Sequence, residues 1–262
     1  NLDGFDPETD LVAASDLLEI DRWALAASDK LLAEAVEGYD TFNFSKVYHA
    51  VYRFCVVEMS NFYLDVIKDR LYINKRDSMA RRAAQTAMYH ILVQMTRIIA
   101  PVLVFTAQEI WSFIPKKAGM EQYVGYEEMG KPGAWAQNEA FAAKWGRIIA
   151  VRDEVKKVLE QARADKTIGA SLEAKVTLYC SEAVYEFLNA IPAKELADIL
   201  IVSEVELVQG EGGVKGMFEG LGVGVAHVEG EKCERCWKYT HDVGSHAAHP
   251  SLCGRCAGIL EE

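Results

Sequence analysis

Two Cys-x-x-Cys motifs near the C-terminal end limit the possible folds of this 262-residue chain more than any other pattern. Cys233 and Cys236 form the first motif, and Cys253 and Cys256 form the second after sixteen intervening residues. Each motif can direct two thiolates toward one centre, and Zn²⁺ accepts four thiolates in a tetrahedron. The spacing therefore predicts one structural zinc ion, which would fold a small ribbon module with little core of its own.

Other interpretations of the cysteines have less support. Disulfides are typical of secreted proteins, whereas the first residues lack the pattern of a secretory leader, and Cys55 and Cys180 would be left over. Iron also accepts four thiolates, so the type of ligand alone does not distinguish iron from zinc. Because four thiolates leave no open coordination position, we expect no catalysis at this site. We interpret His241, His246 and His249 as loop residues, and Cys55 and Cys180 as buried small hydrophobes.

The first half of the chain has the apolar spacing of amphipathic helices. Apolar side chains recur at intervals of three and four residues, which predicts helices over residues 16–36, 44–66 and 84–99. Pro101 ends or kinks the last of these helices. Thr106 and Glu109 have the spacing of a capping box, so Thr106 is expected to cap the next helix. Several long helices with short connections predict an antiparallel bundle.

The second half begins with a segment rich in glycine and proline. We interpret residues 115–138 as a linker or extended loop, and residues 141–164 as a helix that tolerates Gly146. Beyond it, the pattern predicts strands over residues 174–180, 199–208 and 223–228, and a helix over residues 181–191. Residues 210–216 lack the Gly-Lys-Ser/Thr ending of a phosphate-binding loop, so we interpret them as a connection between strands.

The sequence thus predicts a mainly α protein, with an antiparallel helical bundle, a small α+β domain and a C-terminal zinc ribbon. The predicted segments are the bundle with its linker (1–138), a connecting helix (139–170), the α+β domain (171–229) and the zinc module (230–262). The first residue is not methionine, and we expect the chain to be a piece of a longer protein. No apolar stretch approaches the about 20 residues of a membrane-spanning helix, so we expect no membrane partner.

Charge is distributed unevenly along the chain. The net charge of −11 argues against nucleic-acid binding. Residues 66–82, however, carry +4 (six bases, two acids), and residues 144–175 carry +3 (eight bases, five acids). A polyanion responds to the local field within roughly 8 Å at physiological salt, so acidic flanks do not exclude a basic face. Solvated helix faces are the alternative interpretation of both clusters.

Trp237 directly follows the second cysteine of the first motif, and Arg235 directly precedes that cysteine. The indole could cover the metal. Alternatively, it could form an exposed stacking platform beside a cation, as in proteins that bind unpaired RNA bases.

The chain resembles the C-terminal part of bacterial isoleucyl-tRNA synthetases essentially from end to end, and several segments carry this resemblance. Residues 18–24 are similar to the entry into their helical anticodon-binding domain, and residues 54–72 are similar to its signature helix. Further similar segments are residues 81–86, 99–111, 166–174, 230–237 and 252–256. The bundle segments also resemble valyl and leucyl synthetases, whereas the zinc ending points to the isoleucyl family.

The resemblance implies an anticodon-recognising fragment of a ligase that attaches isoleucine to its tRNA with ATP. The family's His-x-Gly-His and Lys-Met-Ser-Lys-Ser motifs and its editing domain are absent from this sequence, so we expect no amino-acid activation and no ATP binding by the chain alone. Expected partners are isoleucine tRNA and the catalytic domain of the same protein, and we expect a cytoplasmic monomer. By resemblance, the RNA contacts are Arg235 and Trp237 in the zinc module and Lys46, Arg53, Lys68, Lys75, Arg76, Arg81 and Arg82 in the bundle.

Two other functions stay open from the sequence. A zinc-ribbon adaptor that binds protein partners through the bundle would agree with the net charge of −11. The equivalent region of a valyl or leucyl synthetase would bind a different tRNA, or would bind RNA without sequence preference. Arg53 and Lys68 could also form intramolecular ion pairs instead of RNA contacts.

Overall fold

The computed structural model describes residues 1–261. The chain forms two compact units, Asn1–Ala142 and the part that starts at Ala143. The mainly α fold class, with a small sheet and a cysteine cluster near the C-terminal end, is confirmed. The division into four segments stays a prediction. Among the described helices, none is both long and apolar enough to cross a membrane.

The helices of the first unit follow the apolar periodicity of the sequence. In chain order they are α1 (Glu19–Asp40), α2 (Phe44–Arg53), a π-helical segment (Phe54–Tyr63), α3 (Leu64–Val66), α4 (Lys68–Tyr72), α5 (Met79–Ile99) and α6 (Val104–Phe113), with 3₁₀ turns at Ala14–Asp16 and Val124–Tyr126. A Cβ atom on Gly38 of α1 would lie 2.6 Å from Val47 Cγ2 of α2, so glycine permits the close approach of these two helices. The three helices predicted for the bundle are present, with ends that differ by a few residues.

The two longest helices of the bundle, α1 and α5, run in the same direction. At their first turns, Arg70 of α4 donates both to Asp21 of α1 and to the carbonyl oxygen of Ala80 of α5. At their last turns, the Tyr39 hydroxyl donates to the carbonyl oxygen of Ile98 at 2.8 Å. After α1, the chain runs back toward the first turns through α2 and the π-helical segment. Helix α2 is therefore antiparallel to α1.

The segment predicted as one helix over residues 44–66 is helical throughout but changes type at Phe54. Phe54, Met59 and Tyr63 are all buried, at spacings of five and four residues. The wider turn of a π-helix places residues at this spacing on one face, whereas an α-helix would turn some of them away. The change of helix type therefore keeps three large side chains in the core.

The capping box predicted at Thr106 is wrong. Helix α6 begins at Val104, and its N-cap residue, Leu103, makes no side-chain capping hydrogen bond. The Leu103 N–H donates to the carbonyl oxygen of Ile99 at 2.8 Å, and the Ala107 N–H donates to the carbonyl oxygen of Leu103 at 2.8 Å. The turn after α5 thus continues directly into α6, and Thr106 lies within the first helical turn instead of before it.

The segment predicted as a linker or extended loop, residues 115–138, is largely irregular but packs on the bundle. The indole nitrogen of Trp111 donates to the carbonyl oxygen of Glu121 at 3.1 Å. The N–H of Gly133 donates to Asp29 Oδ2 at 2.7 Å. Val124 is buried in a cluster with Trp111. This segment is therefore held by polar and apolar contacts along its length.

The second unit combines a four-stranded sheet, a two-stranded hairpin and helices. Its elements are α7 (Glu139–Ala164), which begins in the first unit, a 3₁₀ turn at Ser171–Glu173, β1 (Ala174–Cys180), α8 (Glu182–Asn189), α9 (Ala193–Leu200), β2 (Glu204–Gln209), β3 (Val214–Lys215), β4 (Leu221–His227), β5 (Glu231–Lys232), β6 (Tyr239–Thr240) and α10 (Gly254–Glu261). The larger sheet has the order β2-β1-β4-β3. Strands β1 and β2 are parallel, with Val176 opposite Val205, and β1 and β4 are antiparallel.

The strand predicted over residues 199–208 starts too early. Ile199 and Leu200 are the last residues of α9, and strand β2 starts at Glu204. Parallel strands need a crossover connection, so the chain between β1 and β2 is helical and its apolar side chains bury against the sheet. Ile201, with φ of 58°, ends α9 in the left-handed conformation. The predicted helix over residues 141–164 and the strands near residues 174–180 and 223–228 are confirmed.

Candidate metal centre and nucleic-acid interface

The four motif cysteines come together in the second unit. Their Sγ atoms all lie within 4.8 Å of one another. Cys233 and Cys236 lie in the turn of the β5–β6 hairpin, while Cys253 and Cys256 lie at the start of α10. A zinc–sulfur bond of about 2.3 Å in a tetrahedron gives sulfur–sulfur edges of about 3.8 Å. The distance between Cys236 Sγ and Cys253 Sγ is 3.8 Å, which matches this edge, and all four sulfurs are close enough together to surround one ion.

Backbone N–H groups favour the thiolate form of Cys233. The N–H of Cys253 lies 3.3 Å from Cys233 Sγ, which joins the two motifs directly. Burial by itself raises the pKa of Cys233, but the N–H groups of Cys236, Cys253 and Arg235 bring that pKa down to about 6. Zinc binds thiolates, so these donors prepare the sulfur for the metal before any ion arrives.

Cys253 and Cys256 depend more strongly on a cation than Cys233 does. Burial raises the pKa of Cys253 and raises the pKa of Cys256 well above its usual range. The Arg235 side chain hydrogen-bonds Cys256 and acts in the opposite direction, lowering that pKa. Four thiolates around one Zn²⁺ leave two negative charges, and Arg235 lies where it offsets part of them. Arg235 is thus half-buried against the sulfur cluster.

Trp237 is exposed and held in one orientation. Its φ is 65°, a left-handed conformation that is uncommon for a bulky residue. The Trp237 N–H donates to the carbonyl oxygen of Cys233 at 2.9 Å, and the indole nitrogen donates to the carbonyl oxygen of Glu234 at 3.1 Å. The side chain is 62% exposed, and Lys232 Nζ lies 5.6 Å from the ring centroid. This geometry favours a stacking platform over an indole that covers the metal.

The zinc module is tied to the four-stranded domain within the second unit. Lys238 forms an ion pair with Asp198 of α9. The Tyr239 N–H donates to Ser203 Oγ at 2.9 Å, and the Tyr239 ring contacts the ring of His227 edge to face. These contacts follow Trp237 directly in the chain, so they fix the position of the exposed indole relative to the sheet.

The remaining histidines and cysteines lie outside the metal cluster. His241, His246 and His249 are not members of the group of possible metal ligands found among the described residues, and His246 Nδ1 lies 3.2 Å from Glu261 Oε1. Cys180 is fully buried, and burial raises its pKa to about 11. Cys55 is only half-buried. None of the six cysteines, all of which lie among the described residues, forms a disulfide.

Several bases predicted to contact RNA are engaged within the bundle. Lys46 pairs with Glu37 at 2.6 Å, and Lys68 pairs with Asp65 at 2.7 Å. Arg53 binds both carboxylate oxygens of Glu34, at 3.0 and 2.9 Å, and also contacts Glu58 at 3.4 Å. Arg82 pairs with Asp10 at 3.1 Å and donates to Gln85 at 2.9 Å. RNA would have to compete with these acidic and polar partners.

The other predicted bundle bases, Lys75, Arg76 and Arg81, lie at the junction between α4 and α5. Arg76 is exposed, while Lys75 and Arg81 are half-buried. The guanidinium of Arg76 lies over the backbone of Gly4, in space that a Cβ atom there would occupy.

A buried polar cluster at the same junction could not be found from the sequence. Asp21 is fully buried and binds Arg70 through both carboxylate oxygens, at 3.0 and 2.6 Å. The Tyr63 hydroxyl donates to Asp21 Oδ1 at 2.8 Å. Arg70 is therefore neutralised inside the bundle and contributes little to the local charge of +4 that the sequence indicates for residues 66–82.

Comparison of the sequence with known families gives the class of protein to which the chain belongs. Residues 21–178 match the model described as the anticodon-binding domain of tRNA ligase, and residues 230–258 match the zinc finger found in FPG and IleRS. The first match covers more than half of the chain, so the chain belongs to the family of anticodon-binding domains of tRNA ligases. The four cysteines hold one structural zinc ion, as the zinc-finger match and their clustering together indicate.

Within that class, isoleucine–tRNA ligases of several bacteria are similar to this chain over its full length. The isoleucine–tRNA ligase of Syntrophotalea carbinolica is 46% identical over 265 residues, which cover 100% of this chain and 28% of that protein. The isoleucine–tRNA ligase of Actinobacillus pleuropneumoniae serotype 5b is 44% identical over 266 residues, covering 98% of this chain and 28% of that protein. The Desulfitobacterium hafniense enzyme is 45% identical over 267 residues, with 99% and 28% coverage. The chain thus spans about a quarter of the length of these relatives.

Proposed function

We propose that this chain grips isoleucine tRNA and reads its anticodon as part of an isoleucine–tRNA ligase. The whole ligase would join isoleucine to that tRNA with ATP, while the described chain supplies RNA recognition and no amino-acid activation. The observation that carries the proposal is the exposed, fixed indole of Trp237 on a four-thiolate module. Unpaired anticodon bases can stack on such an aromatic face, whereas paired bases in a helix cannot.

The zinc module contributes a rigid support for this stacking. Zinc bound by Cys233, Cys236, Cys253 and Cys256 is structural, since four thiolates leave no coordination position for a reactant. Its role is to hold the turn that presents Trp237. Lys232, 5.6 Å from the indole centroid, adds a positive charge beside the platform, where the phosphate next to a stacked base would lie.

The bundle would supply further contacts with the RNA backbone. The support is strongest for Arg76 and Arg81, which lie together at the α4–α5 junction, where Lys75 also lies. Lys46, Arg53, Lys68 and Arg82 have partners inside the bundle, so as RNA contacts they would first have to give up an ion pair. Arg235 is engaged with Cys256 and would act by supporting the metal turn as much as by touching RNA.

Two RNAs would test anticodon reading directly. The zinc-loaded chain is titrated with the anticodon stem-loop of isoleucine tRNA, and with the same stem-loop in which the three anticodon bases are changed. Both RNAs have the same phosphates, so only base recognition separates them. Tighter binding of the isoleucine anticodon supports the proposal. Equal binding would leave a nonspecific RNA grip, with discrimination elsewhere in the ligase.

The alternative function, a zinc-ribbon adaptor for protein partners, is supported by the net charge of −11. It predicts no binding of either stem-loop at any salt concentration. ATP–pyrophosphate exchange tests whether the chain alone activates amino acids. Exchange catalysed by the chain alone would contradict the expected absence of this activity. The choice of isoleucine over valine or leucine tRNA, the monomeric state and the cytoplasmic location stay predictions.

A further inference from the structure

The bundle has two chemically different ends. The parallel helices α1 and α5 both start at the junction that holds Lys75, Arg76 and Arg81. With 22 residues and a rise of about 1.5 Å per residue, α1 carries the chain about 33 Å away from that junction. The opposite end is formed by the residues that follow α1 and α5. A ligand that contacts the basic junction would thus leave the opposite end free.

Large apolar side chains are exposed at that opposite end. We define the apolar end as Phe42, Phe44, Val102, Leu103, Val104 and Phe105, all of them exposed. Phe105 is 91% exposed and Phe42 is 80% exposed. Phe42 has a φ of 55°, so the backbone is held in an uncommon conformation there. Exposed rings of this size are expensive in water and typical of a surface that another molecule covers.

Contacts across α1 and α5 place the two loops at the same end. The Tyr39 hydroxyl donates to the carbonyl oxygen of Ile98, which joins the last turn of α1 to the last turn of α5. The Tyr39 ring centroid lies 6.1 Å from that of Phe44, and the Phe42 and Phe44 centroids are 6.5 Å apart. The Leu103 N–H bonds to Ile99 O at 2.8 Å, so the second loop folds back onto the end of α5.

The charge of the apolar end does not suit RNA. Residues 39–44 and 98–105 contain neither lysine nor arginine, and Asp40 is their single charged residue. Lys46, the nearest base in sequence after Phe42, is paired with Glu37 at 2.6 Å. Phosphates contribute much of the affinity in RNA complexes and need cations, so a polyanion would gain little here. An apolar protein surface fits this end better.

We propose that the apolar end docks against the remaining polypeptide of the same ligase. This inference rests on the proposed function and names a surface for it. The chain spans 28% of its relatives, so each of those ligases contains a much larger protein portion that could cover the patch. All six residues are at least half exposed and lie on two loops at one end of the bundle, whereas ordinary monomers expose large apolar residues singly.

This polarity gives the bundle the role of a spacer. One end meets the remainder of the ligase through apolar packing, and the other end meets RNA through cations. The separation of the two ends by the length of α1 then fixes how far the RNA contacts lie from the docked protein surface. The two loops after α1 and α5 supply the side chains that would contact the docked protein, since the helices before them pack in the bundle core.

Oxidative footprinting tests the docking surface. The isolated chain is compared with a chimera in which it replaces the homologous 28% of the Syntrophotalea carbinolica ligase. Hydroxyl radicals oxidise accessible aromatic rings, and mass spectrometry reads the rate for each residue. We expect oxidation of Phe42 and Phe105 to fall by about fivefold or more in the chimera, as for rings in an interface core. Tyr72, similarly exposed but at the basic end, is the control and keeps its rate.

Equal oxidation of Phe42 and Phe105 in both proteins would overturn the docking surface. Protection that appears in the isolated chain and disappears on dilution would also overturn it, in favour of a second copy of the chain. Protection of the isolated chain by tRNA would assign the apolar end to RNA instead. The tRNA affinity of the isolated chain is measured separately, so protection in the chimera without RNA binding would contradict the proposed function while the docking surface stands.

Phe105→Ser provides an independent check. In the chimera we expect this variant to weaken the coupling of the bundle to the rest of the protein, so oxidation of Phe42 rises toward its rate in the isolated chain. Tyr72→Ser is the matched control, since it also removes an exposed ring from the bundle. The same response to both variants would contradict a role specific to the apolar end. Circular dichroism of the isolated variants identifies any general loss of fold.

Discussion

Trp237 shows at the scale of one residue how the zinc turn is used. Its left-handed backbone conformation carries a cost on the order of 1–3 kcal/mol, and it persists because the surrounding turn holds it in place. The hydrogen bonds from its backbone and indole N–H groups supply part of that hold. A residue that only filled space near the metal would not need this conformation or 62% exposure.

Replacing Trp237 with alanine should therefore weaken tRNA binding without disturbing the metal. We expect Trp237→Ala to lose about 1–3 kcal/mol of binding free energy, the usual contribution of one stacked base. The dissociation constant is measured by titration with labelled tRNA, and zinc content by atomic absorption. Trp237→Phe is the control, because a phenyl ring keeps part of the stacking. An unchanged affinity in the alanine variant, with full zinc content, would sink the stacking role.

Arg76 tests the proposed phosphate contacts at the α4–α5 junction. Each neutralised phosphate of single-stranded RNA adds about −0.7 to the slope of log affinity against log salt. Arg76→Gln should reduce the steepness of that slope by about 0.7, measured by titration over a range of salt concentrations. Lys30→Gln removes an exposed charge from α1 and serves as the control. If both variants change the slope equally, the effect reflects general charge and not a contact of Arg76.

At the scale of elements, the zinc module depends on its metal. Burial raises the pKa values of Cys253 and Cys256, so without zinc these cysteines become buried thiols that no longer hold the turn together. Removal of zinc with a chelator should unfold β5, β6 and α10 while the β1–β4 sheet persists. Amide hydrogen exchange measures both regions in one experiment. Exchange protection of β5 and α10 that survives chelation would contradict a metal-dependent fold.

The buried pair between α1 and α4 should control the stability of the bundle. Asp21→Ala leaves the Arg70 charge and the Tyr63 hydroxyl without their buried partner, at a cost of about 3–5 kcal/mol in the free energy of unfolding. Urea denaturation measures this change. Asp65→Ala removes the exposed partner of Lys68 and should cost at most about 1 kcal/mol. Equal losses of unfolding free energy in the two variants would contradict a larger contribution from the buried pair than from the exposed one.

The elements that the sequence predicts well are those with local signals. The helices of the bundle follow from apolar spacing within each segment, and the zinc ligands follow from two short motifs. The start of α6 was predicted wrongly, because Thr106 and Glu109 match a capping box while the backbone turn after Pro101 already leads into the helix. The start of strand β2 is also wrong in the sequence prediction. Around Ile199 the β-branched residues suggest a strand, but the crossover between parallel strands requires a helix there.

Features that depend on distant residues could not be predicted. Asp21 and Arg70 are 49 positions apart, and nothing in either segment shows that one neutralises the other. For the same reason the sequence could place Lys46, Arg53 and Arg82 among the RNA contacts but could not show their acidic partners. In the metal module, the sequence identified the four ligands, whereas the contact of Arg235 with Cys256 depends on how the two motifs pack.

At the scale of the whole molecule, the net charge of −11 and RNA binding are compatible. Acidic side chains of the bundle pair with Lys46, Lys68 and Arg70, so the total charge says little about the surface that RNA would contact. What matters is the local arrangement at the α4–α5 junction and around Trp237. The exposed apolar end adds a third surface, which we assign to the remaining polypeptide of the ligase and not to RNA.

Competition between two tRNAs tests the central claim most directly. Labelled isoleucine tRNA is bound to the zinc-loaded chain and displaced by unlabelled isoleucine tRNA or valine tRNA at two salt concentrations. We expect isoleucine tRNA to compete more strongly at both, because base contacts are less sensitive to salt than phosphate contacts. Equal competition by valine tRNA at both salt concentrations would contradict anticodon reading by this chain.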